Sequence, residues 1–311
     1  MKKYRLMKSM SKNIEYNGEK ITLYRIKALK DINNADVHAG DIGGWIAGED
    51  NLSRDGDCWV FDEAMVFDNA CVSGDSMICD HAVICFNARI TGESIIEDNA
   101  LISGFAMINN SNVNGNATVT DHATVYEHSH ICDDAHISNN AHIYHSRVRN
   151  NAHVSGNSNI TNGPVISDNV SVSGDSVISG KVIIKENALI DSSPIINGRD
   201  IVIKSNAKVY GGRIYSNVVL DKNAFIVSNK DFFVVNTFTS TYTFYRNNKH
   251  LCVVISNTSS GMILYTGNII KLKKKIKELR NNGLLGDESY DIAMHTIRYG
   301  IKMLSINTDN I

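Results

Sequence analysis

The chain has 311 residues, of which 43% are hydrophobic and 21% are charged, and its formal net charge at pH 7 is −2. This near-neutral balance gives no overall attraction to nucleic acid or to an anionic membrane surface, so we expect neither as a partner. No apolar run approaches the ~18 residues that span a bilayer.

Cysteine usage agrees with a reducing compartment. The six cysteines show no Cys-x-x-Cys spacing, so neither a disulfide framework nor a zinc site is favoured. No apolar signal-peptide core follows Met1. These features predict a cytoplasmic protein with free thiols.

The first segment, residues 1–50, lacks the repeat of the rest of the chain and is predicted to be an N-terminal β cap. The run Glu15 to Glu19, with Asn-Gly inside it, is typical of a hairpin turn, and a strand is predicted from Ile21 to Ile26. Because the open end of a solenoid leaves backbone groups unpaired, a cap is required there. We expect Trp45 and Trp59 to plug that end.

The second segment, residues 51–230, repeats with a period of six. An aliphatic residue returns at every sixth position, beginning at Val60, and a small residue stands two positions before it; from Ala64 to Ser158 all seventeen small positions are Ala or Ser. An α-helix needs a period near 3.6 and an ordinary strand a period of 2, and the five-residue repeat of a square helix does not fit. The spacing therefore predicts a mainly β fold, a left-handed parallel β-helix of about 9–10 three-sided coils.

The corners of the predicted coil have their own signature. Asn or Asp often stands directly before the small residue, and Gly often precedes it. These residue types tolerate the left-handed backbone that a sharp corner demands, so we expect them to form the corners. The Asn and Asp residues concerned are Asn69, Asp75, Asn87, Asn99, Asn110, Asn116, Asn140, Asn151, Asn157, Asn169, Asp175 and Asn187.

Histidine is concentrated in one part of the repeat, where seven of the eleven histidines lie between His122 and His153. A residue returns to the same side of the coil eighteen positions later, or seventeen where a side has five residues, as from Ile108 to Val113 and from Ile143 to Val148. Stacked strands lie about 4.8 Å apart, so this register brings side chains together in pairs. The pairs are His128 with His145 at one corner, His130 with Arg147 on the adjacent face, and His136 with His153 on the following face.

Three interpretations of these six residues remain open. They can form an anionic-ligand or acyl-donor groove or an interface, with His128, His130 or His145 as general base. An imidazole pair can bind a metal, but no carboxylate constellation accompanies it, so no metal site is predicted. In the third interpretation, histidine simply tolerates outward positions on a strand or corner.

The third segment, residues 231–311, has no hexads and is predicted to be a C-terminal α/β cap or docking unit. Strands are predicted at Phe232 to Val235 and Tyr242 to Tyr245, and Leu251 to Ile255 is expected to pair with the latter across Asn247-Asn248. Two helices follow, the second with Asp287 as N-cap. Their apolar stripes are Ile269, Leu272, Ile276 and Leu279, and Tyr290, Ala293, Ile297, Ile301 and Leu304.

A basic run of five lysines lies between Lys271 and Lys277. Leu272 and Ile276 interrupt it at helical spacing, which is typical of a solvated helix face. Contact with phosphate or nucleic acid is the alternative.

Three short motifs lead into the repeat: Gly43-Gly44-Trp45, Asn51-Leu52-Ser53 and Gly56-Asp57-Cys58-Trp59-Val60. Followed by Asn-Ala hexads, they resemble the YdcK-like hexapeptide-repeat proteins of enterobacteria and phages, and Thr243 to Arg246 is similar to a strand of some phage-encoded relatives. The resemblance implies a left-handed β-helix of a family labelled as transferases, and it favours a phage origin.

Two classes of function follow. In the first, the chain is a non-catalytic β-helix scaffold or binding module without a cofactor, which forms a homotrimer and engages a host or virion protein through its C-terminal domain. In the second, it is a hexapeptide-repeat acyltransferase that uses acyl-CoA at an inter-subunit groove, as the resemblance implies. The nearly uninterrupted hexads leave no long loop to wall an acyl-donor site, which favours the first class.

Overall fold

A computed structural model describes residues 2–215, 217–236, 240–246, 250–257 and 263–306. The chain is mainly β and winds as a parallel β-solenoid of about 10 turns, with a helical region towards the C-terminus. The predicted solenoid is therefore confirmed, whereas its left-handed winding stays a prediction. The chain divides into two compact units, Met1–Gly163 and Pro164–Ile311. The three segments bounded near residues 50 and 230 stay a prediction as domains.

The first unit begins with a hairpin and a third short strand. Its elements are β1 (Tyr4–Tyr16), β2 (Glu19–Ala28), a 3-10 turn (Asn33–Ala35), β3 (Ile42–Ile46) and a second 3-10 turn (Glu49–Asn51). Strand β2 pairs antiparallel with both β1 and β3. The turn between β1 and β2 uses Asn17 and Gly18, whose φ angles are 50° and 79°. The hairpin turn and the strand after it are therefore confirmed.

The hairpin packs over the outer side of the first coils because that side is apolar. Leu23 on β2 and Phe67 and Cys85 on the coils are fully buried together. Partly buried apolar residues surround them: Ile14, Tyr16, Ile21, Trp45, Ala47, Met65, Val83 and Leu101. The hairpin thus removes from water an apolar surface that the coils alone leave exposed.

The N-terminal residues also close the edge of the first coil. Lys3 is 1% exposed, and its Nζ donates to the backbone oxygens of Gly56 and Cys58 at 3.2 and 3.0 Å. The Oη of Tyr4 donates to the backbone oxygen of Leu52 at 2.8 Å. Carbonyls that have no preceding coil to bind are satisfied in this way.

Each coil of the first unit has three strands of two or three residues. Parallel pairing joins residues seventeen or eighteen positions apart, as in Val119 with Ile137 and Ile131 with Val148. The inward aliphatics Val119, Val125 and Ile131 are fully buried, as predicted. The strands are β4 (Trp59–Val60), β5 (Met65–Val66), β6 (Cys71–Val72), β7 (Met77–Ile78), β8 (Val83–Ile84), β9 (Arg89–Thr91), β10 (Ile95–Ile96), β11 (Leu101–Ile102), β12 (Met107–Asn109), β13 (Asn112–Val113), β14 (Thr118–Val119), β15 (Thr124–Tyr126), β16 (His130–Ile131), β17 (His136–Ile137), β18 (His142–Tyr144), β19 (Arg147–Val148), β20 (His153–Val154) and β21 (Asn159–Thr161).

The corners use a left-handed residue two positions before the small residue. The glycines predicted at that position are confirmed, for instance with a φ angle of 69° at Gly74, whereas the Asn and Asp residues were predicted one position too late. Positive φ angles occur two positions before the small residue, for instance 55° at Asp68 and 58° at Asp121. Among the Asn and Asp residues predicted to be left-handed, Asn110 alone has a positive φ angle, and all of them lie in the described ranges. The amides are needed elsewhere: Asn69 Nδ2 donates to Asn87 Oδ1 of the next coil at 3.2 Å.

The second unit has coil strands, then an antiparallel sheet with two helices. The coil strands are β22 (Val165–Ile166), β23 (Ser171–Val172), β24 (Val177–Ile184), β25 (Leu189–Ile190), β26 (Ile195–Ile203), β27 (Lys208–Val209), β28 (Arg213–Tyr215), β29 (Val219–Leu220) and β30 (Phe225–Ile226). The later elements are β31 (Phe232–Asn236), β32 (Ser240–Arg246), β33 (Leu251–Asn257), β34 (Ile263–Asn268), α1 (Ile269–Asn281) and α2 (Asp287–Ile306).

The predicted strands and helices of this tail are confirmed, and β32 pairs antiparallel with β33 as expected. The turn at Asn247-Asn248 lies outside the described residues. Strand β34 was not predicted, and Asp287 is the first residue of α2 rather than its N-cap. Both helices bury their apolar stripes against the sheet, where Phe244, Ile297 and Leu304 are fully buried.

A buried carboxylate, Asp221, ties this sheet to the last coil of the second unit. Asp221 is 3% exposed, and Thr266 Oγ1 on β34 donates a hydrogen bond to its Oδ2 at 3.3 Å. Burial disfavours the ionised form, but hydrogen bonds from Ser205 and the Lys222 N–H, with the nearby Lys204 ammonium, outweigh it, so the pKa of Asp221 lies below its ordinary value. The folded chain therefore stabilises the ionised form of the Asp221 side chain.

All six cysteines are free thiols, as predicted. Within the described ranges, neither helix combines the length and the apolar character that a membrane crossing requires.

Candidate functional site

One of the three corners in the first unit carries serine at its small position. Five buried serines follow one another along it: Ser76, Ser94, Ser111, Ser129 and Ser146. Both five-residue sides of the first unit, Ile108 to Val113 and Ile143 to Val148, turn at this edge. We call it the serine corner.

Hydroxyl groups replace a local backbone hydrogen bond at the serine corner. At an alanine corner, the alanine N–H bonds the carbonyl three residues earlier, as Ala135 does with Cys132 at 3.3 Å. At the serine corner, the Oγ of Ser129 donates to the backbone oxygen of Tyr126 at 2.6 Å. The Ser129 N–H instead donates to Ser111 Oγ of the preceding coil at 3.2 Å. The ladder of hydroxyls therefore satisfies N–H groups where the side length changes.

The outer surface of the serine corner is built from left-handed polar residues. The φ angles are 47° at Asn110, 56° at His128 and 46° at His145. The His128 N–H donates to the backbone oxygen of Asn110 at 2.6 Å. Backbone hydrogen bonds between coils thus hold these side chains at the corner.

A cavity of about 280 Å³ lies at the serine corner and on the adjoining face; we call it the corner cavity. Asn112, His130 and Arg147 face it from successive parallel strands, because the register pairs Asn112 with His130 and His130 with Arg147. The lining residues are Glu93, Asn110, Asn112, His128, Ser129, His130 and Arg147.

The corner cavity brings together three of the predicted site residues: His128, His130 and Arg147. His145 occupies the same corner one coil later, where its N–H donates to the backbone oxygen of Tyr126 at 3.2 Å, but it does not line the cavity. The six residues of the predicted patch therefore do not form a single site.

His136 and His153 form a separate pair on another face. Their rings meet edge to face with centroids 4.6 Å apart, and His136 Nδ1 shares a hydrogen bond with Thr118 Oγ1. Burial, with a smaller contribution from His153, lowers the pKa of His136 below its ordinary value. His136 is therefore mainly neutral at neutral pH.

The two tryptophans lie at different places near the N-terminal end. Trp59 is 1% exposed and meets the ring of Tyr4 edge to face at 6.4 Å. Trp45 lies on the outer side, where Lys12 Nζ and Arg25 Cζ are each 4.3 Å from its ring centroid. Its Nε1 donates to Glu63 Oε2 at 2.9 Å.

Sequence reasoning missed Glu93, Asn110 and Asn112 as members of this site. The spacing of seventeen or eighteen positions that relates His128 to His145 also relates Asn110 to His128 and Glu93 to Asn110. The sequence therefore indicated that these residues occupy the same corner. The Glu93 N–H donates to Asn110 Oδ1 at 3.0 Å, which fixes this amide at the corner. Glu93 provides a carboxylate that is distant in sequence from the histidines.

The corner cavity combines a guanidinium, two imidazoles, two amides and one carboxylate. The guanidinium of Arg147 can bind an anionic oxygen, and the imidazoles and amides can form hydrogen bonds with a ligand. Among the residues that the structure describes, no group of three His, Cys, Asp or Glu side chains could hold a metal ion.

Comparison with known proteins gives one partial similarity. No protein-family model matches the chain. Over 66 residues the chain is 38% identical to the uncharacterized acetyltransferase YdcK of Escherichia coli strain K12, and this stretch covers 20% of each protein. The solenoid and this similarity together fit a hexapeptide-repeat family.

Proposed function

We propose that the protein is a non-catalytic β-solenoid binding module whose corner cavity holds the anionic group of a small ligand. The observation that carries the proposal is the convergence of Arg147, His130 and His128 on one cavity. A guanidinium with neighbouring amide and imidazole donors is a suitable partner for a carboxylate or phosphate.

The size of the corner cavity supports a small group rather than a whole coenzyme. Its volume is about 280 Å³, below the range of about 300–1,000 Å³ that is typical of pockets for drug-sized ligands. Glu93 restricts the anion to one end of the cavity. It lies two coils before His128, or about 10 Å along the axis, where it can accept a hydrogen bond from a hydroxyl or amino group.

The second candidate function is acyl transfer from acyl-CoA to a hydroxyl or amine. The similar E. coli protein is named an acetyltransferase, and two histidines line the corner cavity. In this reaction His128 or His130 takes the proton of the acceptor as the acceptor attacks the thioester carbonyl, and coenzyme A leaves as its thiol. Between β4 and β21, all of which is described, no connection exceeds four residues, so no loop walls a long acyl donor.

A thermal-shift experiment separates the two candidates. Inorganic phosphate, citrate, coenzyme A and acetyl-CoA are added to the parent protein and to Arg147→Ala. We expect phosphate or citrate to stabilise the parent, by about 2.7 kcal/mol at a hundred times Kd, and to have no effect on Arg147→Ala. Arg149→Ala is the matched control, because Arg149 is exposed two residues later but does not line the cavity.

A different result identifies the second candidate. Stabilisation by acetyl-CoA, with release of free thiol that is lost in His128→Ala or His130→Ala and kept in His145→Ala, would establish acyl transfer and overturn the first proposal. If neither anions nor acetyl-CoA stabilise the parent, both candidates are refuted for this cavity.

The remaining parts of the proposal concern assembly and context. We propose a cytoplasmic, phage-encoded homotrimer whose C-terminal residues 231–311 bind a host or virion protein. Hexapeptide-repeat β-helix folds commonly form trimers, which supports the assembly, and the resemblance to phage proteins supports the origin. Light scattering tests the trimer, and a monomer at micromolar concentration would contradict it.

A further inference from the structure

Several exposed apolar side chains of the first unit lie on the strands β12, β15 and β18 of one face or at the corner before these strands. Phe105 is 54% exposed, Met107 39% and Tyr144 38%. Together with their neighbours they form a strip that shares no residue with the corner cavity. This aromatic strip consists of Phe105, Met107, His122, Tyr126, His142 and Tyr144.

Contacts within the aromatic strip keep its rings in place. Phe105 and His122 stack with centroids 4.9 Å apart and planes 7° from parallel. Tyr126 lies 5.7 Å from the ring of His142, and its Oη donates to Met107 Sδ at 3.8 Å. The strip is therefore an ordered set of rings, among which Phe105 and Tyr144 are exposed to solvent.

The outward side chains on β12, β15, β18 and the next strand of the ladder, β21, are uncharged, whereas β9 on the same face carries the exposed Arg89, which pairs with Met107. Burial lowers the pKa of His142 below its ordinary value, so this imidazole is mainly neutral at neutral pH. Asp121 and Glu127 stand at the two corners that border the face. The outward residues of these four uncharged strands are Met107, Asn109, Thr124, Tyr126, His142, Tyr144, Asn159 and Thr161.

We propose that the aromatic strip is a binding site for neutral sugar rings. The C–H groups of a sugar ring carry partial positive charge and pack on the negative face of an aromatic ring. Thr124 Oγ1 shares a hydrogen bond with His142 Nδ1 at 2.6 Å, which leaves Nε2 for a ligand hydroxyl. The bordering carboxylates of Asp121 and Glu127 can accept further hydroxyl groups.

The extent of the strip favours a small ligand over a second copy of the chain. The strip is three strands wide, or about 14 Å, and four residues long, or about 13 Å, so its area is about 180 Å². A stable subunit interface takes about 800 Å² from each partner. A disaccharide can cover most of the strip, whereas a protein surface would need much more of the surrounding surface, including Arg89 beside Met107.

Saturation-transfer NMR with lactose, maltose, cellobiose and chitobiose tests the proposal on the full chain. We expect at least one disaccharide to receive saturation from the protein. Tyr144→Ala should weaken that binding about fivefold, which corresponds to the loss of one aromatic contact. Tyr215→Ala is the matched control, because Tyr215 is 53% exposed at the same position of its own strand, β28, in the second unit.

The outcomes are distinguishable from those for the corner cavity because Tyr144 does not line it. Failure of all four sugars to bind, or equal losses in Tyr144→Ala and Tyr215→Ala, would overturn the proposal. Conversion of an oligomer to a monomer by Tyr144→Ala would also overturn it, since the strip would then be a subunit interface.

Discussion

Ser129→Ala tests whether the serine hydroxyls stabilise the serine corner by accepting hydrogen bonds from backbone N–H groups where a side of the coil has five residues instead of six. Ser129 Oγ accepts from the Ser146 N–H at 3.3 Å and donates to the Tyr126 carbonyl at 2.6 Å. The substitution removes only the hydroxyl oxygen and keeps the Cβ atom of the side chain. It therefore isolates the hydrogen bonds.

The two bonds differ in what their loss costs. The Tyr126 carbonyl keeps a second donor, the His145 N–H at 3.2 Å. The buried Ser146 N–H loses its bond to the hydroxyl, and an unsatisfied buried donor costs about 1–3 kcal/mol. We expect Ser129→Ala to lower the free energy of unfolding by this amount, or to lower Tm by about 2–12 °C.

Urea unfolding followed by circular dichroism measures the effect. Ser138→Ala is the matched control: Ser138 is 6% exposed, and its hydroxyl makes no hydrogen bond among the described residues. Its loss should stay within about 0.5 kcal/mol. Equal stability of Ser129→Ala and the parent would refute the role of the ladder.

Gly104→Ala should lower the free energy of unfolding of the first unit by more than about 1–3 kcal/mol, because the φ angle is 70° and a Cβ would lie 2.7 Å from the backbone of the next coil. Gly18→Ala is the control: its φ angle is 79°, but a Cβ there meets open space. It should lower the free energy less in urea unfolding, and equal losses in the two variants would contradict this reasoning. Burial lowers the pKa values of His136 and His142 from 6.5, so the unfolded chain protonates first and the urea midpoint should fall below pH 6.5, levelling off below the folded pKa values. His136→Gln/His142→Gln should reduce that fall, and an unchanged profile would refute the assignment. For Asp221, whose folded pKa lies below 3.8, stability is present above pH 3.8 and lost as pH falls through the folded pKa; Asp221→Asn should flatten this acid limb, and a parallel curve would argue against it.

The solenoid could be predicted because each side of the coil buries one aliphatic and repeats the same local geometry. Val119 and Ile137 occupy equivalent inward positions and are both fully buried. The left-handed glycines could be predicted, but the Asn residues were assigned the wrong role, because Asn suits both a left-handed corner and a side-chain ladder. At Asn69 the ladder decides, since its amide bonds the next coil.

The candidate site could be predicted only in part. The coil register relates His130 to Arg147, and both line the corner cavity. Glu93 was not predicted as a site residue because it lies far from the histidines in sequence. A further signal lies in the small positions: every third one from Ser76 to Ser146 is serine, which marks one corner of the coil throughout.

The covering hairpin shows what local pattern leaves undetermined. Met65, Val83 and Leu101 stand at outward positions of their strands, and such apolar residues indicate that something covers them. The pattern does not say which segment does so. Only the folded chain shows that β1 and β2 supply the cover.

The closed edge of the first coil bears on how such a chain can lengthen. Lys3 and Tyr4 already occupy carbonyls that a foreign strand would need, so end-to-end polymerisation into fibres is obstructed there. New length must instead come from duplicated turns inserted between existing ones. An inserted block of one full turn keeps every downstream side chain in phase, whereas a shorter insertion rotates the remaining histidines onto another side.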